Sequence, residues 1–291
     1  MDMIDRLLEG HEPARPGPGA ARRVAKPHVL GLRMAALYRH WQETGGPDLV
    51  RVAETLLAHV GVSADAPVAK TCISTAEAVT EWQGSEYHSA RHHAEVATNA
   101  TVLAAISARL EHPLAAHDCG ILLAAALAHD IYWEPLTNQH SRFAAETKSA
   151  AALDAIAAGG GVGPEDRRAM HVLVMATEPY ARAELAALQS SPAAALSPQA
   201  AATFAPLLAD EPLLQLALLL SDADLLGSAG LSRAWSSVQW QRLARERDLP
   251  SEAADWSQFF DGIVGPDFLS YGGRYFSSNL ASIRRAMESG G

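Results

Sequence analysis

From Val29 onward apolar residues recur at spacings of three and four, with Leu30, Met34, Leu37, Tyr38 and Trp41 forming one stripe. That period marks a helix burying one face. It returns over residues 48–61, 74–82, 88–110, 118–131, 142–158, 164–177, 181–188, 199–207, 211–225, 230–247 and 276–288. Gly159 to Gly163 and Ser191-Pro192 punctuate the pattern. Alternating runs rich in Val, Ile and Thr are almost absent, while alanine, the strongest helix former, fills many segments. The pattern predicts an all-α fold. No constant repeat suggests a solenoid, and the alanine-rich tract 181–204 reads as an inserted helix pair. Residues 10–27, rich in Pro, Gly, Ala and Arg, carry no apolar period and too little burial to offset ordering. The expected organisation is a flexible N-terminal arm over 1–27 and one helical domain over 28–291.

Composition narrows the partners. The 291 residues include 33 Asp plus Glu against 23 Lys plus Arg, a formal charge of -10. An acidic chain lacks the cationic excess that holds nucleic acid in bulk by counterion release. No run reaches the ~18 to 20 uninterrupted apolar residues of a bilayer span, so no membrane partner is expected. The acidic start, with Asp2, Asp5 and Glu9, does not resemble an export signal, and the expected location is cytoplasmic. Cys72 and Cys119 form no CxxC pair and read as small buried side chains.

Three clusters carry candidate chemistry. Tyr87-His88-Ser89-Ala90-Arg91-His92-His93-Ala94-Glu95-Val96 places His88 and His92 one turn apart if it opens a helix, with His93 turned away. A wet helix start is the plain reading of that cluster alone. In the second, the apolar run Gly120 to Ala128 ends in His129-Asp130. A helix apolar on every face is central, so Asp130 arrives in a dry interior where something cationic must meet it. A buried Arg or Lys would serve; the adjacent imidazole favours a divalent metal. His117-Asp118 is a weaker pair, with Asp118 placed to cap a helix. The third cluster delivers Asp222 and Asp224 after another apolar helix, about 200° apart at 100° per residue. One can be a ligand; the other is a cap or an outer acceptor.

In this order the residues resemble the HD superfamily of metal-dependent phosphohydrolases. Tyr87-His88-x-x-x-His92-x-x-Glu95-Val96 is similar to a signature shared by cyclic-nucleotide phosphodiesterases and a group of uncharacterised bacterial predicted phosphohydrolases. The bacterial group is the nearer, through Glu146-Thr147-Lys148-Ser149-Ala150 and Asp222 to Leu225. The resemblance spans roughly residues 85–230. It implies an HD-domain helical bundle with additional N- and C-terminal helices. It further implies one divalent ion (Mn²⁺, Fe²⁺, Mg²⁺, Ni²⁺ or Zn²⁺) on His92, His129, Asp130 and Asp224, with Asp224 preferred because the family aspartate lies in Ala-Asp-Leu. His88 matches the general acid of the phosphodiesterases, and Asp130 is grouped with it as catalytic. Ser89 stands where the family has Asn, and Thr177-Glu178-Pro179-Tyr180 where bacterial relatives have Thr-Lys-His.

The expected activity is metal-dependent hydrolysis of a small phosphorylated or nucleotide-like substrate by metal-activated water. Arg91 and Lys148, with Glu95 and Glu146, are candidates for substrate contact or ligand orientation; Arg142 and Arg274 are further candidates for phosphate. Two other readings stand beside it. An HD-type di-iron oxygenase needs two more histidines between His-Asp and the last aspartate, and His140 and His171 lie there. A non-catalytic helical ligand-binding module needs no turnover at all. The aromatics Trp240, Trp256, Phe259, Phe260, Tyr271 and Tyr275 read as peripheral packing, with a lid or dimer surface as the rival, and a homodimer is a candidate assembly.

Overall fold

Alanine- and leucine-rich segments fold as helices throughout the computed structural model, which describes residues 3–10, 24–82, 84–134, 142–191, 196–248 and 256–289. The chain runs through α1 (Met3–Leu8), α2 (Pro27–Glu43), α3 (Leu49–His59), α4 (Pro67–Glu81), α5 (Ala90–Arg109), α6 (Ala116–Ala128), α7 (Ala144–Gly159) and α8 (Pro164–Met175). It continues through α9 (Ala181–Ser190), α10 (Pro198–Ala209), α11 (Glu211–Ala229), α12 (Arg233–Glu246), α13 (Trp256–Gln258, prolonged by a π-helical stretch Phe259–Val264), α14 (Tyr271–Arg274) and α15 (Ser277–Glu288). Among the described residues there is no β-strand, only an isolated bridge between Glu9 and Val24.

Local chemistry sets the starts. Pro27, Pro67, Pro164 and Pro198 open helices where a missing N–H costs nothing. Asp48, Ser197, Asp210 and Ser232 accept first-turn backbone N–H groups. Pro67 starts α4 seven residues before the expected 74. Asp118 lies in the first turn of α6, whose N-cap is Ala115, so it is not the cap. The arm expected over 1–27 is different at its start: residues 3–8 are helical, with Ile4 and Leu8 fully buried. Arg33 reaches the end of that helix, donating to the Leu7 carbonyl at 2.9 Å and the Glu9 carbonyl at 2.7 Å, which satisfies acceptors a helix end leaves open. Residues 11–23 lie outside the described residues.

The core centres on α5 packed along α11, with α6 against both and α4 against α6. Every residue from Cys119 to Ala128 is buried, as expected of a helix apolar on all sides. One described helix, α11, is long and apolar enough to cross a membrane, but most of it is buried against neighbouring helices. These central helices deliver their polar ends to one place.

Asp222 belongs to a different junction. It is fully buried, pairs with Arg182 at 2.8 Å and accepts from the backbone N–H of Leu269 (3.0 Å) and Ser270 (2.6 Å). Arg182 also donates to the carbonyls of Val264 and Asp267. The pair thus pins the C-terminal segment to α11. Close approach demands small residues here: a side chain at Gly273 would collide with the Asp222 carboxylate, and one at Gly272 with the Leu103 carbonyl. Of the C-terminal aromatics, Phe260 is fully buried, Trp256 and Phe259 pack against the core, and Tyr271 is exposed. Asp222→Ala leaves Arg182 charged in a dry site and is expected to cost about 3–5 kcal/mol, read as a lower urea midpoint.

Candidate metal centre

Three buried helices supply the candidate ligands. His92 sits in the first turn of α5, His129 is the C-terminal cap of α6, with Asp130 following, and Asp224 lies in the third quarter of α11. Because α6 is buried on every side, its last residues open into the interior, where α5 and α11 flank it. The 200° between Asp222 and Asp224 now has a physical meaning: one carboxylate faces Arg182, the other faces the imidazoles.

His92, His129 and Asp130 each offer one atom within 4.8 Å of the others. His129 Nε2 lies 3.0 Å from Asp130 Oδ2 and 3.2 Å from His92 Nε2. Asp224 joins through the imidazoles, its Oδ1 at 3.4 Å from His92 Nε2 and 3.5 Å from His129 Nε2. His129 Nδ1 lies 2.9 Å from the Ala126 carbonyl, to which it donates. In the neutral ring this leaves the lone pair on Nε2, aimed at the cluster. Such an outer partner is the usual way a protein fixes the metal-facing nitrogen of a histidine.

The electrostatics require a positive charge. Among the described ion pairs, no lysine or arginine meets Asp130 or Asp224. Burial would raise both carboxyl groups, yet His129 with His88 holds Asp130 well below the ordinary range, and His129 with His92 holds Asp224 at about 2. Conversely, burial would lower both imidazoles, and the two carboxylates reverse this, raising His92 and holding His129 well above its usual value. Two facing Nε2 lone pairs between two carboxylates are satisfied by protons or by a divalent cation. Nitrogen and oxygen donors in this number suit a first-row transition ion, so the residues fit the expected metal.

His88 is placed by a different route from the one its spacing suggests. α5 starts at Ala90 with Ser89 as N-cap, so His88 precedes the helix. Its Nδ1 lies 2.5 Å from Glu246 Oε1, and Glu246 Oε2 accepts from the backbone N–H of Tyr87 and His88. Its Nε2 lies 3.6 Å from Asp130 Oδ2. Glu246, at the end of α12, is a residue that sequence reasoning missed. Burial would raise its carboxyl group, but His88 holds it at about 2, with help from Ser85 and the Tyr87 backbone.

The remaining candidates fall elsewhere. Glu95 is buried on α5, and takes hydrogen bonds from Gln239 and Arg242 of α12. Arg242 also donates to Gln42 of α2. This network fixes α12 one turn before Glu246. Arg91 donates to the Glu86 carbonyl, and Lys148, half exposed, lies 3.0 Å from Glu134. Glu146 is buried on α7. Arg142 pairs with Glu178 and Glu184, and Arg274 donates to Gln189. His93 is fully buried, its ring nitrogens without a hydrogen-bond partner; burial and the neighbouring His129 hold it well below its usual value, hence neutral. His171 is exposed on α8 and His140 lies outside the described residues. His117 is exposed, 3.1 Å from Asp166, away from the cluster's ligand set.

No protein-family model matches this chain, and no curated protein matches it. Solved structures are similar. One is the phosphodiesterase domain of the Salpingoeca rosetta rhodopsin phosphodiesterase, with a TM-score of 0.55 and 16% identity over 83% of this chain and 87% of that one. The chain has the fold of a phosphodiesterase domain. A second structure of that domain, from the RhoPDE fusion protein of the same choanoflagellate, covers 97% of this chain and 96% of its own, at a TM-score of 0.54 and 16% identity. LmjPDEB1 in complex with IBMX has a TM-score of 0.52 and 15% identity, over 89% of this chain and 87% of that one. The phosphodiesterase fold therefore extends over most of the molecule, beyond the segment 85–230.

Two measurements follow from this geometry. Asp130→Asn and Asp224→Asn are each expected to weaken Mn²⁺ binding by at least about tenfold in calorimetric titration, whereas His117→Ala leaves it unchanged. The depressed Glu246 carboxyl contributes stability that is complete above its ordinary value of 4.5 and is lost as pH falls toward about 2. In chelator, the stability gap between the parent chain and Glu246→Gln should therefore close as pH falls through that interval.

Proposed function

We propose that this chain is a metal-dependent phosphohydrolase acting on a phosphodiester or related small phosphorylated substrate. One observation carries the reading: two imidazoles and two carboxylates converge with no lysine or arginine among the described ion pairs, and a third imidazole stands beside them at 3.6 Å from Asp130. The likeness in fold to phosphodiesterase domains supports the same class. His92, His129, Asp130 and Asp224 would hold the ion. A divalent ion in such a site supplies an acidified water and offsets charge on phosphoryl oxygen.

The chain's own residues supply the rest. His129 is oriented by the Ala126 carbonyl, and Asp224 is separated from the Arg182 pair by its position around α11. His88 is held at Nδ1 by an ionised Glu246, so a protonated ring keeps its second N–H on Nε2. That N–H faces the cluster and donates its proton to the departing oxygen. Glu246 remains a carboxylate throughout.

The di-iron reading lacks support on the described side: His171 is exposed on α8, and the only candidate ligand cluster among the described residues contains His92, His129 and Asp130. The expected result is hydrolysis of bis(p-nitrophenyl) phosphate by protein loaded with Mn²⁺, abolished by chelation. His88→Ala should lower kcat by about 10²–10⁴-fold with little change in KM on a substrate whose leaving group needs a proton. Metal-loaded protein that takes up oxygen and releases no phosphate product would contradict the proposal.

A further inference from the structure

His88 precedes the helix that carries His92, so no helical backbone hydrogen bond sets its orientation. Glu246 provides one anchor, at Nδ1. A hydrogen bond to one ring nitrogen fixes a point and an approach direction, and leaves the ring plane free to tip about that hinge. The plane is set by something else. The indole of Trp133 stacks on His88 with ring centroids 3.7 Å apart and planes 20° from parallel. Tyr87 and His92 meet the same imidazole edge-on, at 4.9 and 5.9 Å.

The backbone that brings Trp133 there starts on a candidate ligand. The Trp133 N–H donates to the Asp130 carbonyl at 3.1 Å, closing a turn over Asp130, Ile131, Tyr132 and Trp133. Within it Tyr132 has φ +61°, the left-handed region that a bulky side chain avoids. Strain of this kind persists where the surroundings over-determine it. Here the reversal returns an aromatic ring across the face of His88 three residues after Asp130, while Tyr132 itself is left half exposed, edge-on to Trp82.

We propose that Trp133 is a positioning residue for His88, holding the imidazole plane so that Nε2 stays aimed at the departing oxygen. Glu246 fixes one nitrogen and Trp133 fixes the plane; together they leave the ring one orientation. The catalytic consequence rests on the phosphohydrolase reading, whereas the clamp itself does not.

The test uses the full chain and two variants, Trp133→Phe, which keeps an aromatic face, and Trp133→Leu, which does not. In the metal-free protein the ring protons of His88, assigned by their loss in His88→Gln, should resonate upfield through the indole ring current. They should move downfield in Trp133→Leu and remain shifted in Trp133→Phe. In the Mn²⁺-loaded protein, turnover is compared for methyl aryl phosphates with p-nitrophenol or phenol as leaving group. Only the poorer leaving group depends strongly on a placed acid. Trp133→Leu should therefore lose about tenfold in kcat on the phenyl ester and less than about twofold on the p-nitrophenyl ester. KM should hold, and Trp133→Phe should recover most of the loss. Equal losses on both esters, or none, overturn the positioning role. An unshifted His88 resonance in the parent chain overturns the clamp, whatever the turnover. A shifted resonance without turnover by the parent supports the clamp and overturns the phosphohydrolase reading instead.

Discussion

Two carboxylates that meet no lysine or arginine among the described residues set the terms for this molecule. Asp130 and Asp224 are brought into the interior by helices too apolar to lie anywhere else, and among the described ion pairs each finds only imidazoles. A buried anion without a cation is among the most costly arrangements a protein can contain. His92 and His129 are drawn toward protonation by those carboxylates, and a divalent cation would displace the protons while answering the same charge. The fold and the chemistry are therefore one problem: packing α6 between α5 and α11 creates the cluster, and the cluster has the donors to hold an ion.

Around this centre the other polar contacts sort by what they hold. Arg182 and Asp222 fasten the C-terminal segment to α11, using the second aspartate of Asp-Ala-Asp for architecture. Glu95, Gln239, Arg242 and Gln42 tie α5, α12 and α2 together. That tie sits one turn before Glu246 on α12, and Glu246 holds His88. A buried network remote from the donor atoms thus helps to set where His88 stands.

Much of this was legible in the sequence, for reasons that can be named. Periodicity exposed the helices, because a face buried on a core must repeat near 3.6 residues. The abrupt ending of an all-apolar run in His129-Asp130 marked a polar group with nowhere to go. The angle between Asp222 and Asp224 showed that only one of them could face an ion, and the family resemblance pointed to Asp224. The relation between His88 and His92, read from helical spacing, reached the correct neighbours by the wrong path, since the helix starts after His88. Glu246 was not legible: it lies 158 residues from His88, in a charged stretch, Arg245-Glu246-Arg247-Asp248, that looks like any solvated helix end. Trp133 was hidden for a related reason, since a left-handed tyrosine turn leaves no periodic trace. The buried start of α1 was missed because six residues are too few to display a period.

The central claim is that one ion is held by imidazoles 92 and 129 together with the two carboxylates. X-ray absorption at the edge of the bound metal tests it most directly. The account predicts an oxygen- and nitrogen-donor shell with the outer-shell scattering of two imidazoles, reduced to one in His129→Ala. A shell of oxygen donors without imidazole scattering, or one unchanged by that substitution, would contradict it.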